Sequence, residues 1–432
     1  MKNSPNVLVI AALPFATLAL AGTAHASGFY LQEQSTRAAG RAFSGEVADQ
    51  GAASLWWNPA SIGGQQGCNG ALGVSAILPR GKVGNVGTLI VRPGQAPAPV
   101  GGDQVTRDPI TNGVLPSGAI ACAITPRLAL GMTVTAPYSF ETQYPATSWA
   151  RYTARQTKLR TYDLQPSIAF AVTPELSIGA ALNAEYSKAT LSNNLPNLSP
   201  LLADGFQELQ GHGWDFGWSV GAQYRSGPVT LGASYKSRIK HRLDGTVTTS
   251  GLLGPLAGQN STIATQASFS TPWQVNVGAR VAVSPKLTLN AQVTRMGWSE
   301  FDAIRLGAPL NVAIPENYHN TWSFAGGADY RVTPRFTVRA GIQHDQSPTS
   351  DGNRDARVPD SDRWNFATGA SYDLSDGITI DASASYIAFK DAKIDRVTAA
   401  YAGSPVQTPI LVNGSLTGAH AVVLSLGGRV RF

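Results

Sequence analysis

Groups able to attack, to transfer protons or to hold a metal are sparse in this chain of 432 residues, which has six histidines (His25, His212, His241, His319, His344 and His420) and two cysteines, Cys68 and Cys122. None stands in a G-x-S-x-G turn, an H-E-x-x-H helix or a paired-cysteine metal spacing. His241, His319 and His344 fall on strand ends or loops, where solvated or hydrogen-bonded imidazoles are the ordinary case, so no catalytic residue, metal or cofactor is assigned. The acidic loop DQSPTSDGNRDARVPDSD, Asp345 to Asp362, carries oxygen ligands suited to Ca²⁺. It lacks EF-hand spacing, and Arg354 and Arg357 interrupt it, which favours a solvated loop with internal ion pairs. The stretch GKVGNVG from Gly81 matches no nucleotide-binding pattern.

The elements around these residues set the address. Residues 1–26 hold Lys2, an apolar run from Val7 to Gly22 and Ala24-His25-Ala26, the marks of a secretory signal peptide cleaved near Ala26. Beyond them no apolar run reaches the eighteen or so residues of a spanning helix. Charged residues make up 14%, against roughly 25% in a soluble domain, which favours a large lipid-facing surface. The net charge of +6 is scattered, and with secretion it argues against a nucleic-acid partner. Cys68 lies just before the first strand and Cys122 near the periplasmic end of the second; the oxidising periplasm permits a disulfide between them, and free thiols are equally open.

One pattern recurs about 40 to 60 residues apart: ITPRLALGM at Ile124, VTPELSIGA at Val172, VSPKLTLNA at Val283 and VTPRFTVRA at Val332, with looser copies at Arg225 and Leu374. Each is a tight turn between two alternating runs. After one turn Ile178, Ala180 and Leu182 alternate with Ser177, Asn183 and Glu185; after another Ile378, Ile380 and Ala382 alternate with Thr379, Asp381 and Ser383. A sandwich core alternates too. Short turns on one side, long loops on the other, and inner positions that include Arg, Asp and Glu favour an outer-membrane barrel. Six turns joining seven up-down pairs predict fourteen strands. The last strand ends at Phe432 with Val422, Leu424, Leu426 and Val430 on one face, resembling the signal read by the barrel-assembly machinery.

Specific motifs sharpen this. Ser27-Gly-Phe-Tyr-Leu-Gln-Glu-Gln, Gly40-Arg41-Ala42-Phe43-Ser44-Gly45-Glu46, Trp57-Asn58-Pro59-Ala60, Trp214-Asp215-Phe216-Gly217-Trp218, Gly297-Trp298-Ser299-Glu300-Phe301 and Arg357-Val358-Pro359-Asp360-Ser361-Asp362-Arg363 resemble the outer-membrane long-chain fatty acid transporter family (FadL-type), which includes aromatic-hydrocarbon transporters. The resemblance implies an all-β, 14-stranded antiparallel transmembrane barrel (67–432) with an N-terminal hatch (27–66) in its lumen. The family is non-enzymatic; its partners are a hydrophobic small molecule, outer-membrane lipid and lipopolysaccharide, and the assembly machinery.

Asn58, Pro59 and Ala60 would end the hatch, and Trp56 and Trp57 would either pack it or line the route. Capture would fall to loop residues Leu195, Leu198, Leu201, Leu202, Phe206, Leu209, Leu252, Leu253 and Leu256. Exit would be sideways where Pro137 interrupts the strand Leu128 to Tyr144. Family alignment places the carboxylate-binding cation at Arg305; the other headgroup positions fall at Ala136 and Asn193, with Lys188 nearby. That departure leaves a neutral aromatic or alkane cargo open beside a fatty acid. A structural or adhesive barrel and an open porin are the competing classes.

Overall fold

The computed structural model describes residues 28–432; the expected signal peptide lies outside the described residues. Fourteen antiparallel strands form a closed barrel. They are β1 (Cys68–Asn85), β2 (Val105–Arg107 and Gly113–Ala123), β3 (Leu128–Thr135 and Ser139–Gln143), β4 (Gln156–Ala171), β5 (Leu176–Leu195), β6 (Gly205–Ser226), β7 (Val229–Lys236 and Ile239–Ser250), β8 (Ser261–Thr271 and Gln274–Ala282), β9 (Leu287–Met296), β10 (Thr321–Thr333), β11 (Phe336–Asp345), β12 (Arg363–Ser375), β13 (Ile378–Phe389 and Ala392–Ala400) and β14 (Thr408–Arg431). Closure comes from β1 against β14, paired from Asn69↔Arg431 to Asn85↔Gly414 with a register shift between Arg80 and Lys82, so no long sheet edge is left to capture another chain.

All six recurring motifs are the short turns of one rim. Three of them close alike, with Ile124, Val172 and Val283 donating N–H to the carbonyl four residues on, at 2.8, 2.8 and 3.0 Å. The barrel's two ends meet on the same rim, Cys68 N–H donating to Phe432 O at 2.7 Å. Cys68 and Cys122 sit directly opposite on β1 and β2 and are disulfide-bonded. The alternation read from the sequence is inverted relative to a water-soluble protein: Leu182 is 65% exposed, while its neighbour Asn183 is fully buried. Apolar side chains face lipid and polar ones face the lumen.

The segment 28–63 folds into a four-residue helix, Thr36–Ala39, capped by Ser35, and three 3₁₀ turns, Glu46–Ala48, Ala52–Ser54 and Pro59–Ile62. It comes close to Gly73 of β1, Gly131 of β3, Gly179 of β5, Gly221 of β6, Gly278 of β8, Gly327 of β10 and Gly369 of β12. A segment that touches wall strands all the way round a closed barrel occupies its interior. Glycine is what permits this approach: a Cβ on Gly341 would lie 2.1 Å from Arg41 O, and one on Gly232 2.1 Å from Val47 O.

Candidate functional site

The corner at Asn58 is built by its amide. Its side-chain oxygen accepts from Ala60 N–H at 3.0 Å, and its nitrogen donates to Val47 O at 2.8 Å and to Ala222 O of β6 at 3.1 Å. Pro59, at the first position of the following turn, has no N–H to leave unsatisfied there. Trp56 and Trp57 are both buried, edge to face at 5.1 Å; the Lys236 ammonium lies 4.0 Å above the Trp56 ring.

Ions fasten the same segment to the wall. Arg41, fully buried, bonds Glu46 and reaches Asp49 at 2.7 Å and Asp329 of β10 at 3.6 Å. Arg280 of β8 bridges Asp49 and Asp329 at 3.2 Å each, and Arg339 of β11 holds Asp329 at 2.9 Å. Buried charges persist only when paired in this way.

In β3 the ladder breaks at Ala136–Tyr138. Thr135 still pairs with Asp163 of β4 and Ser139 with Arg160, but Pro137 turns its carbonyl inward to accept Leu31 N–H at 2.7 Å. On the other side β2 pairs with β3 only from Gly118 to Ala123, so Gly113–Ser117 lack a β3 ladder partner. The result is a local parting of the wall between β2 and β3.

Two cavities lie either side of that parting. The larger, about 650 Å³, is lined by Phe29, Phe140, Leu159, Leu209, Leu243, Phe269, Phe301 and Ile304, with Lys158, Glu316 and Arg357 as its charged residues. The smaller, about 370 Å³, runs between Gln34–Arg37 and Trp56 of the 28–63 segment and Gly73, Gly118, Thr133 and Thr135 of the wall. Arg357 donates to Asn193 at 3.1 Å through one terminal nitrogen, while its other terminal nitrogen is buried with no hydrogen-bond partner. Glu316, 3.6 Å from Arg396, has its carboxyl pushed up to about 7 by burial, against the pull of Arg396. Lys158 lies 3.0 Å from Glu141.

The sequence-derived candidates fall in different places. Leu209 lines the larger cavity. Leu195, Leu252 and Leu256 form a loop cluster with Leu198 packed against it, whereas Leu201, Leu202 and Leu253 are exposed and Phe206 is half-buried. Arg305 stands in a hairpin, Ala303–Leu306 with Val312–Pro315, with its guanidinium half exposed and held by Asp302 at 2.8 and 2.5 Å. Lys188 is exposed on β5, in register with Arg160 and His212. Sequence reasoning did not single out Arg357. Its signals were the Arg357–Arg363 motif and the family headgroup position at Asn193, which turns out to be its partner.

Comparison with known proteins agrees with this architecture. Residues 17–432 match the family described as outer membrane protein transport protein (OMPP1/FadL/TodX). A long-chain fatty acid transport protein of Escherichia coli O6:H1 is 24% identical over 87% of this chain and 90% of its own length. The crystal structure of a Pseudomonas aeruginosa FadL homologue superposes with a TM-score of 0.82 at 24% identity, covering 94% of this chain and all of that one. The Ralstonia pickettii toluene transporter TbuX superposes at 0.62 with 19% identity, over 96% and 99% of the two chains. With its closed barrel and a match that spans nearly its whole length, the chain belongs to the OMPP1/FadL/TodX family of outer-membrane transport proteins.

Proposed function

We propose that this protein carries long-chain fatty acids across the outer membrane. Cargo is gathered by the leucines of the 196–204 and 251–260 loops, passes to the cavity beside Phe29, and leaves sideways where Pro137 parts β3 from β2. The 28–63 segment acts as the hatch, and Trp56 and Trp57 hold it against the wall. Transfer is driven by burial of the alkyl chain, about 25 cal/mol per Å². The observation that carries the fatty-acid reading is the Arg357 nitrogen left without a hydrogen-bond partner at the wall of an apolar cavity, since a buried donor is costly until an acceptor such as a carboxylate meets it. Arg305 is the alternative headgroup site offered by family alignment.

A neutral aromatic cargo is the second reading, favoured by the four phenylalanines of the cavity and by Glu316, which repels a carboxylate when ionised. The test is uptake of radiolabelled oleate and toluene by cells lacking their own transporter. Arg357→Ala is expected to cut oleate uptake about tenfold, as for loss of one charge-assisted bond, and to leave toluene unchanged. Loss in Arg305→Ala instead would move the headgroup there. Toluene uptake alone would establish the neutral cargo, and entry of neither would refute transport of both classes.

A further inference from the structure

The outer face of β4, β5 and β6 carries a feature that transport does not use. Tyr162, Tyr186 and Trp214 stand side by side in register, and one step nearer the long loops Arg160, Lys188 and His212 do the same. Between Phe170 and Tyr162 β4 climbs about 26 Å at ~3.3 Å per residue. At a tilt of ~40° that is about 20 Å of height, and Arg160 stands about 25 Å up, at the edge of an apolar band of that thickness. The aromatic row therefore marks the extracellular interface, and the basic row lies among lipid headgroups.

Placing Arg160 directly opposite Lys188 is unfavourable unless an anion lies between them. Of the carboxylates on β6 and β7, Glu208 accepts from Gln210 at 2.5 Å, and Asp244, directly opposite His212, accepts from Gln266 at 2.9 Å. Among the described residues neither Arg160 nor Lys188 enters an ion pair, and Nε of Arg160 is buried without a hydrogen-bond partner. The His212 ring stacks on Tyr186 at 6.2 Å, and His212 stands directly opposite Lys188.

We infer that Arg160, Lys188 and His212 form a site for a phosphate group of the outer leaflet's glycolipid, the lipid A of lipopolysaccharide. The phosphate bridges the three strands while the acyl chains lie along the apolar face below. The site is independent of the cargo.

The test uses full-length protein extracted from outer membranes in mild detergent and delipidated. Correct folding is read from heat-modifiable migration on gels. Lipid binding is measured by native mass spectrometry for wild type, for the triple variant R160Q/K188Q/H212Q, and for a control pair, K286Q/R335Q, on the opposite rim. Wild type and control should bind diphosphorylated lipid A at least about tenfold more tightly than the triple variant, as for loss of several charge-assisted contacts. Dephosphorylated lipid A should bind wild type as weakly as the phosphorylated form binds the triple variant. Equal binding by the triple variant would overturn the site. So would phosphatidylglycerol binding as tightly as lipid A, or inorganic phosphate competing at equal concentration, since either removes the glycolipid as the ligand. Should the triple variant fail to fold, Lys188→Gln alone is read against the same controls, with a loss of about threefold supporting the site and no loss overturning it.

Discussion

Glu316 and Arg357 face one cavity with opposite charge, and the acid is the one whose state changes near neutrality. Its folded pKa of about 7 exceeds the ordinary carboxylate value of about 4.3. Between those values the folded state keeps a proton that the unfolded state has lost, so the burial of Glu316 costs stability as pH rises, fully above about 7. Glu316→Gln should therefore match wild type in melting temperature below about pH 4 and exceed it above pH 7, with oleate affinity following the same pattern as the anion competing for Arg357 is removed. Melting curves and oleate titrations at pH 4, 6 and 8 check this; a pH-independent difference would contradict the assignment. Only part of this was legible in the sequence. Arg305 and Arg357 look alike as letters, and what separates them is that Asp302 lies three residues from Arg305, whereas Arg357 folds inward to Asn193, 164 positions away.

Among the elements, β3 was read most directly, because proline cannot donate to a ladder and its place in an amphipathic run announces the break. What the sequence did not reveal is where the freed carbonyl goes: Leu31 N–H takes it, a contact between segments more than a hundred residues apart. Pro137→Ala restores an N–H and permits the β2 edge to re-pair, so uptake should fall several-fold while the barrel assembles normally. Unchanged uptake in a well-assembled variant would argue against exit at this strand. The strand count followed from six turns whose proline or Asp-Gly chemistry is local. Loop structure was less legible: the hairpin Ala303–Leu306 with Val312–Pro315 lies across β8 through the pairs Ala267↔Leu306 and Ser268↔Arg305, and no local pattern dictates that placement.

At the scale of the whole molecule, the inward charges were visible as polar positions in alternating strands, but their partners were not, since Arg41, Asp49, Arg280, Asp329 and Arg339 meet only once the barrel has closed around the 28–63 segment. Asp329→Asn removes the carboxylate shared by Arg41, Arg280 and Arg339, and breaking such a buried network costs about 3–5 kcal/mol. The expected result is a barrel that still migrates as folded but shows raised ion conductance in planar bilayers and admits bulky antibiotics to cells. Conductance at the wild-type level would mean that the remaining pairs suffice. The ionic character of this fastening bears on permeability. An alkyl chain or an aromatic ring brings nothing that a guanidinium would accept in exchange for its carboxylate, so of all the parts of a cargo only a charged headgroup could compete for this fastening.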